Sequence, residues 1–459
     1  MMKFCPECGA LLVGQKFCHE CGANISKYLS NQYDTSLKNT NFLDLEASVN
    51  EQLYAKLGLE VENGVLIKYT GKSRELVIPG GIFEIGESVF EKNSTLASVS
   101  MSNDVKYIGE KAFYMCINLK TIQLSQNIDD IGSTAFGKCS ALKEIILPEK
   151  LSEIRDYVFY SCDSLKRIYI PTNVEKIGYN AFMMTNTERI DINNIVSWLN
   201  IKFYNAEARP KGNLYLNEKL LTNLVIPQGV KVINDYAFYN QKYLEFVSCP
   251  KDLEIIGKYA FSNSGIVELH LNEGLKTIDT QAFSNCIHLK NLKFPSTLRM
   301  LGDYSFACCS FLQNLRIPHL VNKISDGAFL SCEGLREVII DEGVSEISYI
   351  AFENCRNLTK INIPSSIYAI GNNAFNGCNN LQSVTLKEGI KRIGNHAFFN
   401  TKLTDIIIPY SVEIIAGQIC YSLNNVKLPK HLYDQEMSAR NNYYSKSPIF
   451  PLEANLILY

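Results

Sequence analysis

The stretch LTKINIPSSIYAIGNNAFNGC, Leu358 to Cys378, decides the fold because its pattern returns along most of the chain. In its first half, Leu358, Ile361 and Ile363 alternate with Lys360 and Asn362, the pattern of a short strand whose Lys360 and Asn362 point outward. Pro364 cannot donate to a strand ladder and ends the pairing there. The second half, an I-G-x-x-A-F-x-x-C phrase, supplies apolar anchors and a tight turn. Upstream the phrase appears as IGESVF, IGEKAF, IGSTAF, IRDYVF and IGYNAF, with Phe90, Phe113, Phe136, Phe159 and Phe182 spaced 23 residues apart. The series resumes at Phe238, Phe261, Phe283, Phe306, Phe329, Phe352, Phe375 and Phe398, every interval 23 except one of 22. A fixed period in the twenties is the mark of a solenoid, in which each coil buries its apolar columns against its neighbours and none has a core alone. The expectation is a repeat solenoid of short parallel strands and tight turns, about 13 to 14 coils of ~23 residues.

Three residues after phenylalanine, eight repeats carry cysteine: Cys116, Cys139, Cys162, Cys286, Cys309, Cys332, Cys355 and Cys378. The others carry Asn93, Thr185, Gln241, Ser264 and Thr401. A metal string or redox relay would need thiols that do chemistry. A column that also accepts serine, threonine and asparagine reads instead as a buried structural ladder whose side chains bond a turn backbone.

The L-x-x-I-x-I-P strand and the I-G-x-x-A-F-x-x-C turn, intact from Leu358, resemble the BspA-like, or Treponema-type, leucine-rich repeat family over about residues 60 to 430. The resemblance implies a solenoid of leucine-rich type and a binding scaffold without catalytic residues. Some members of the family are displayed on cell surfaces as adhesins.

The chain opens differently. Cys5 and Cys8 in CPECG, then Cys18 and Cys21 in CHECG, form two CxxCG pairs separated by nine residues. Four thiolates suit tetrahedral zinc and leave no open position for water or substrate, so the expected site is structural, with one zinc ion. The segment resembles the small zinc-ribbon domains at the N-termini of many bacterial proteins. Lys3 and Lys16 balance Glu7 and Glu20 across the first 25 residues, so this ribbon lacks the basic face that neutralises phosphates, and nucleic acid is not an expected partner.

The expected organisation is a zinc ribbon over 1–25, a polar tether over 26–41, a helix-and-hairpin cap over 42–70, repeats over 71–430 and a C-terminal cap over 431–459. Phe182 and Phe238 lie 56 residues apart, two periods plus ten, so an enlarged irregular unit falls at about 191–226, with the only tryptophan, Trp198. Insertions in solenoids map to loops, which makes this unit a candidate contact site; Trp198 itself reads as filler of a wider cross-section.

Composition narrows the function classes. The formal charge of -2 over 459 residues gives no global attraction to nucleic acid or acidic membranes. No apolar run approaches a membrane span, and no signal peptide is recognisable, so the fifteen cysteines read as thiols in a cytoplasm. The six histidines fall in no nucleophile, phosphate-cradling or metalloprotease motif, so an enzyme is not expected. Solenoids bind along an extended face, and the outward strand column collects His270, Lys293 and Arg316 in successive coils, with Tyr169 earlier in the same column. The three basic-capable residues are candidate contacts for a carboxylate, phosphate or acidic peptide, with Tyr169 a further candidate for partner binding; the alternative is a solvated face partly balanced by Glu268 and Glu337 in the adjacent column. The expected function is a protein- or peptide-binding scaffold with the ribbon as accessory module. The alternatives are a nucleic-acid-associated regulator acting through the ribbon and a surface adhesin.

Overall fold

The structure is a computed structural model that describes residues 3–4, 11–12, 42–441 and 449–459, with side chains over 50–440 and 449–459. The repeats wind into a parallel β-solenoid of about 16 turns, more than the 13 to 14 expected. The difference has a simple cause. Counting phenylalanines misses coils that lack one: the irregular unit, and the last coil, where Cys420 fills the position.

Each coil has three sides. The first is a strand of three or four residues, such as Lys360–Asn362, which pairs in parallel with Glu337–Ile340 before it and Ser383–Thr385 after it. The second is a two-residue strand, such as Ala369–Ile370, paired with Glu346–Ile347 and Arg392–Ile393. The third is the phenylalanine turn, and it too is hydrogen-bonded from coil to coil. The N–H groups of Gly327, Phe329 and Ser331 donate to the carbonyls of Tyr349, Ala351 and Glu353 one coil later, at 2.9, 2.9 and 2.7 Å. The backbone reaches these partners by entering the left-handed region two residues before and two after phenylalanine, as at Tyr157 (φ 57°) and Ser161 (φ 54°). Non-glycine residues there cost on the order of 1 kcal/mol each, and the inter-coil bonds hold them in place.

The core is a set of columns. In the coil from Leu358, the side chains of Leu358, Ile361, Ile363, Ile367, Ile370, Ala374, Phe375 and Cys378 are buried. Phenylalanine rings of successive coils stack, from 4.8 Å between Phe90 and Phe113 to 5.8 Å between Phe306 and Phe329, with planes 2–20° apart.

The ends are covered. Helix α1 (Phe42–Leu57) leads into a hairpin of Leu59–Glu62 and Val65–Tyr69, turned at Asn63 (φ 50°) and Gly64 (φ 77°), and Tyr54 of the helix donates to the Gly80 carbonyl at 2.8 Å. The hairpin continues the short-strand sheet, as Val65 and Leu66 pair with Glu84 and Ile85. At the other end, Asn455–Leu458 adds a parallel strand beside Asn425–Leu428, and helix α3 (Lys430–Asn441) packs near it. The buried Glu436 carboxylate accepts from the N–H groups of Ile449 and Phe450 and from Arg440.

The irregular unit is a joint. Arg189–Ile192 leads through the Asn194 cap into a short helix, α2 (Ile195–Asn200), whose first N–H groups bond the Asn194 side chain. Asn213–Leu216 then turns back on Lys219–Leu220 as an antiparallel hairpin that ends one long-strand sheet, and the next begins at Asn223–Val225. The missing phenylalanine rung is filled by Trp198 and Arg209, both buried. Both donate to the Ala237 carbonyl beside Phe238, and the preceding Phe182 N–H donates to Glu207. Trp198 therefore fills the cross-section.

Candidate functional site

The outward face of the long-strand sheets is a regular surface whose side chains contribute nothing to the core. Its exposed aliphatics are Val77 (64%), Ile146 (64%), Val225 (67%), Ile339 (42%) and Ile407 (56%).

His270, Lys293 and Arg316 lie on this face in successive coils, all exposed. Two of them are answered by carboxylates. His270 Nε2 meets Glu268 Oε1 at 2.6 Å on its own strand, and Arg316 Nε donates to Asp341 at 3.0 and 3.2 Å. Lys293 has no ion-pair partner among the described residues. The His270 ring also packs edge-on against Phe246, 5.2 Å between centres.

Tyr169 belongs to a denser cluster that sequence reasoning missed. Its hydroxyl donates to Glu149 and accepts from Asn193 Nδ2 at 2.9 Å; burial and the Glu149 carboxylate both push its pKa up. In register beside it is Asp191, nine-tenths buried and gripped by two arginines. Arg167 Nε donates at 2.6 Å from the preceding coil, and Arg189 donates through Nε and Nη2 at 2.9 and 2.6 Å from two residues away. Burial pushes the Asp191 carboxyl up, but the two guanidiniums outweigh it and hold the group below the usual range. Arg189 also lies over the Tyr215 ring at 4.2 Å. Ile146, Tyr169 and Asp191, with Glu144 and Arg167, line a groove of about 270 Å³. A signal was available: arginine at equivalent strand positions in adjacent coils, with aspartate two residues on, stacks opposite charges on one face.

The cysteine column is inert. Each of its eight thiols donates to the phenylalanine carbonyl of the preceding coil at 3.1–3.3 Å, as Cys332 does to Phe306. Burial pushes the thiols up, Cys116 and Cys162 to about 12 and Cys286 to about 11, so they stay protonated donors. The eleven cysteines of the described residues are all free. Among the described residues no cluster of His, Cys, Asp and Glu is placed to hold a metal. Cys5, Cys8, Cys18 and Cys21 lie outside the described residues, as do the tether and the zinc site expected of the ribbon; Lys3–Phe4 and Leu11–Leu12, which bracket the first pair in sequence, form an antiparallel pairing.

Comparison with known families fixes the assignment of the coils. The model of the BspA type leucine rich repeat region (6 copies) matches three stretches, residues 68–207, 212–332 and 301–427. The chain belongs to the BspA-type leucine-rich repeat family. Its fold is similar to that of a leucine-rich repeat protein from Bacteroides ovatus, 24% identical with a TM-score of 0.50 over 86% of this chain and 94% of that one. A leucine-rich repeat protein from Eubacterium ventriosum is 20% identical, with a TM-score of 0.42 over 76% and 91% of the two chains. A leucine rich cell surface protein from Faecalibacterium prausnitzii is 25% identical, with a TM-score of 0.38 over 71% and 91%. No curated protein matches the chain. As a BspA-type solenoid it presents a rigid face of parallel strands, and no described helix is long and apolar enough to cross a membrane.

Proposed function

We propose that this protein is a non-catalytic scaffold that binds a protein or peptide along the outward face of its long-strand sheets. One observation carries the reading. Exposed Val and Ile side chains project from a backbone hydrogen-bonded on both edges, interspersed with the Tyr and Arg types that dominate binding hot spots. The groove at Ile146, Arg167, Tyr169 and Asp191 is the preferred anchoring point, because Asp191 fixes both guanidiniums before a partner arrives. His270, Lys293 and Arg316 form a second polar contact stripe farther along. A photo-cross-linker placed at Ile146 should capture a defined partner in cells, and one placed at Tyr179 on another face should not. An Ile146→Glu, Tyr169→Ala variant should lose that partner at least tenfold. Equal capture from both positions, or binding unchanged in the variant, would count against the strand face.

The ribbon reading extends this proposal. Cys5, Cys8, Cys18 and Cys21 would hold one zinc ion as four thiolates, a closed set that builds structure and does no chemistry. Metal analysis of protein purified from a reducing cytoplasm should give one zinc per chain, and a Cys5→Ser, Cys8→Ser variant should hold less than a tenth of it. Full zinc occupancy in that variant would place the metal elsewhere.

A further inference from the structure

The short-strand side of the solenoid carries a charge arrangement that the partner-binding face does not use. Along this side two lysines are answered from a neighbouring coil, Lys276 by Glu254 at 2.7 Å and Lys391 by Glu413 at 2.6 Å. Acidic residues are answered too, as Arg155 grips Asp130 through two nitrogens. Lys176 and Lys202 instead face each other. They are direct register partners on the paired strands Lys176–Ile177 and Lys202–Phe203, and both are exposed. Neighbouring strands lie ~4.8 Å apart, and like charges set side by side at that spacing destabilise a sheet. Neither ammonium has an ion-pair partner among the described residues, although Glu153 is the register partner of Lys176 on its other side.

The two lysines sit in a groove of about 530 Å³ between the coils and helix α2. Lys150 is a third ammonium on its wall, its Nζ donating to Asn127 at 2.9 Å, and Glu175 is the one carboxylate in the lining. Ser152, Ser197 and Asn200 supply hydroxyl and amide donors. The nearby Thr172 and Asn173 are already engaged with Glu149. Three ammonium groups against one carboxylate, with neutral donors around them, make a surface that lacks an anion.

We propose that this groove binds a tetrahedral oxyanion, a phosphate or sulfate group, between Lys176 and Lys202. An oxyanion there turns the like-charge pair into two charge-assisted contacts, and the hydroxyl and amide donors complete its coordination. The enlarged unit creates the site, because α2 exists only there and closes the groove on one side.

The test uses the full chain and two probes. Inorganic phosphate is titrated by calorimetry at fixed ionic strength, and phosphatidylcholine vesicles doped with phosphatidic acid are tested by co-sedimentation. The protein should bind one of them saturably, and Lys176→Gln, Lys202→Gln should weaken that binding at least tenfold. Lys176→Arg, Lys202→Arg should retain it, and Lys323→Gln, on the same column but in register with Glu346, should leave it unchanged. Saturable binding of phosphate identifies a free or small-molecule oxyanion, and binding of vesicles alone identifies a lipid head group. Binding of neither probe, or equal weakening by Lys323→Gln, overturns the proposal.

Discussion

Arg209 is the residue whose chemistry is least at ease with its surroundings. Its guanidinium is wholly buried, donates to the carbonyls of Ala237 and Pro210, lies 5.6 Å from the Trp198 ring, and leaves Nη2 without a partner. No carboxylate answers it among its contacts, and burial pushes its pKa down to about 9. At neutral pH the group is still charged in both folded and unfolded chains, so the desolvation cost is carried in full. Replacing it with a side chain of similar length and no charge removes that cost. Arg209→Met should raise stability at pH 7 by about 1–3 kcal/mol in urea unfolding, whereas Arg209→Ala, which also opens a cavity beside Trp198, should lower it. The sign with pH follows from the depressed pKa. Above about 9 the folded chain sheds a proton that the unfolded chain keeps, so the wild type gains stability as pH rises. The advantage of Arg209→Met should therefore shrink by on the order of 1 kcal/mol between pH 8 and pH 10. A pH-independent difference would mean that the buried guanidinium keeps its proton up to pH 10 and carries its desolvation cost throughout.

At the scale of elements, the phenylalanine column and the cysteine column form one device. Each thiol bonds backward to the phenylalanine carbonyl of the preceding coil, while each phenylalanine N–H bonds forward to the next coil. Where serine or threonine replaces cysteine, the shorter C–O bond changes the partner: Ser264 and Thr401 bond the carbonyl of their own coil at 2.6 and 2.7 Å. Phe352 is flanked by Phe329 and Phe375 at 5.4 Å on both sides. Phe352→Ala should cost about 3–5 kcal/mol, with stacking lost on two faces, and Phe352→Leu should cost less than half as much; chemical unfolding with equal m-values would check both. A cost below 1 kcal/mol would show that the coil collapses around the gap. These columns were legible in the sequence because burial there depends on one period of 23. The third hydrogen-bonded side was not, since Tyr157, Lys138 and Met115 give no sign that their backbone must turn left-handed. Nor was the pairing of Arg316 with Asp341, which depends on how side chains lean between coils.

At the scale of the molecule, the solenoid is a chain of nearest-neighbour interfaces, so its cooperativity is set by the weakest one. We place it at the joint, the boundary that no backbone–backbone hydrogen bond crosses among the described residues, whereas the turn bonds bridge the other breaks in the strand ladders. The long-strand sheet ends in the antiparallel hairpin Asn213–Leu216 and Lys219–Leu220, and the short-strand sheet stops at Lys202–Phe203 and restarts at Val232–Ile233. Neither strand ladder crosses. The connection is made by side chains: Trp198 Nε1 and Arg209 Nε to Ala237, Asn234 Nδ2 to Ile201, and Gln241, which accepts from Leu214 N–H at 2.8 Å and donates to Gly212 at 3.0 Å. Gln241 occupies the cysteine position of its coil, and its length is what spans the wider gap where a thiol would fall short. Removing these links should uncouple the halves while leaving each one's own ladders intact. Trp198→Ala with Gln241→Ala should therefore split a single unfolding transition into two, one for the coils before the joint and one for those after. Hydrogen exchange read by mass spectrometry should show residues 75–192 and 223–428 losing protection at different denaturant concentrations. If the double variant instead unfolds in one step at a lower midpoint, coupling across the joint must run through the backbone and the buried Leu199, Ile201 and Leu221, and the array behaves as one cooperative unit despite its broken ladders.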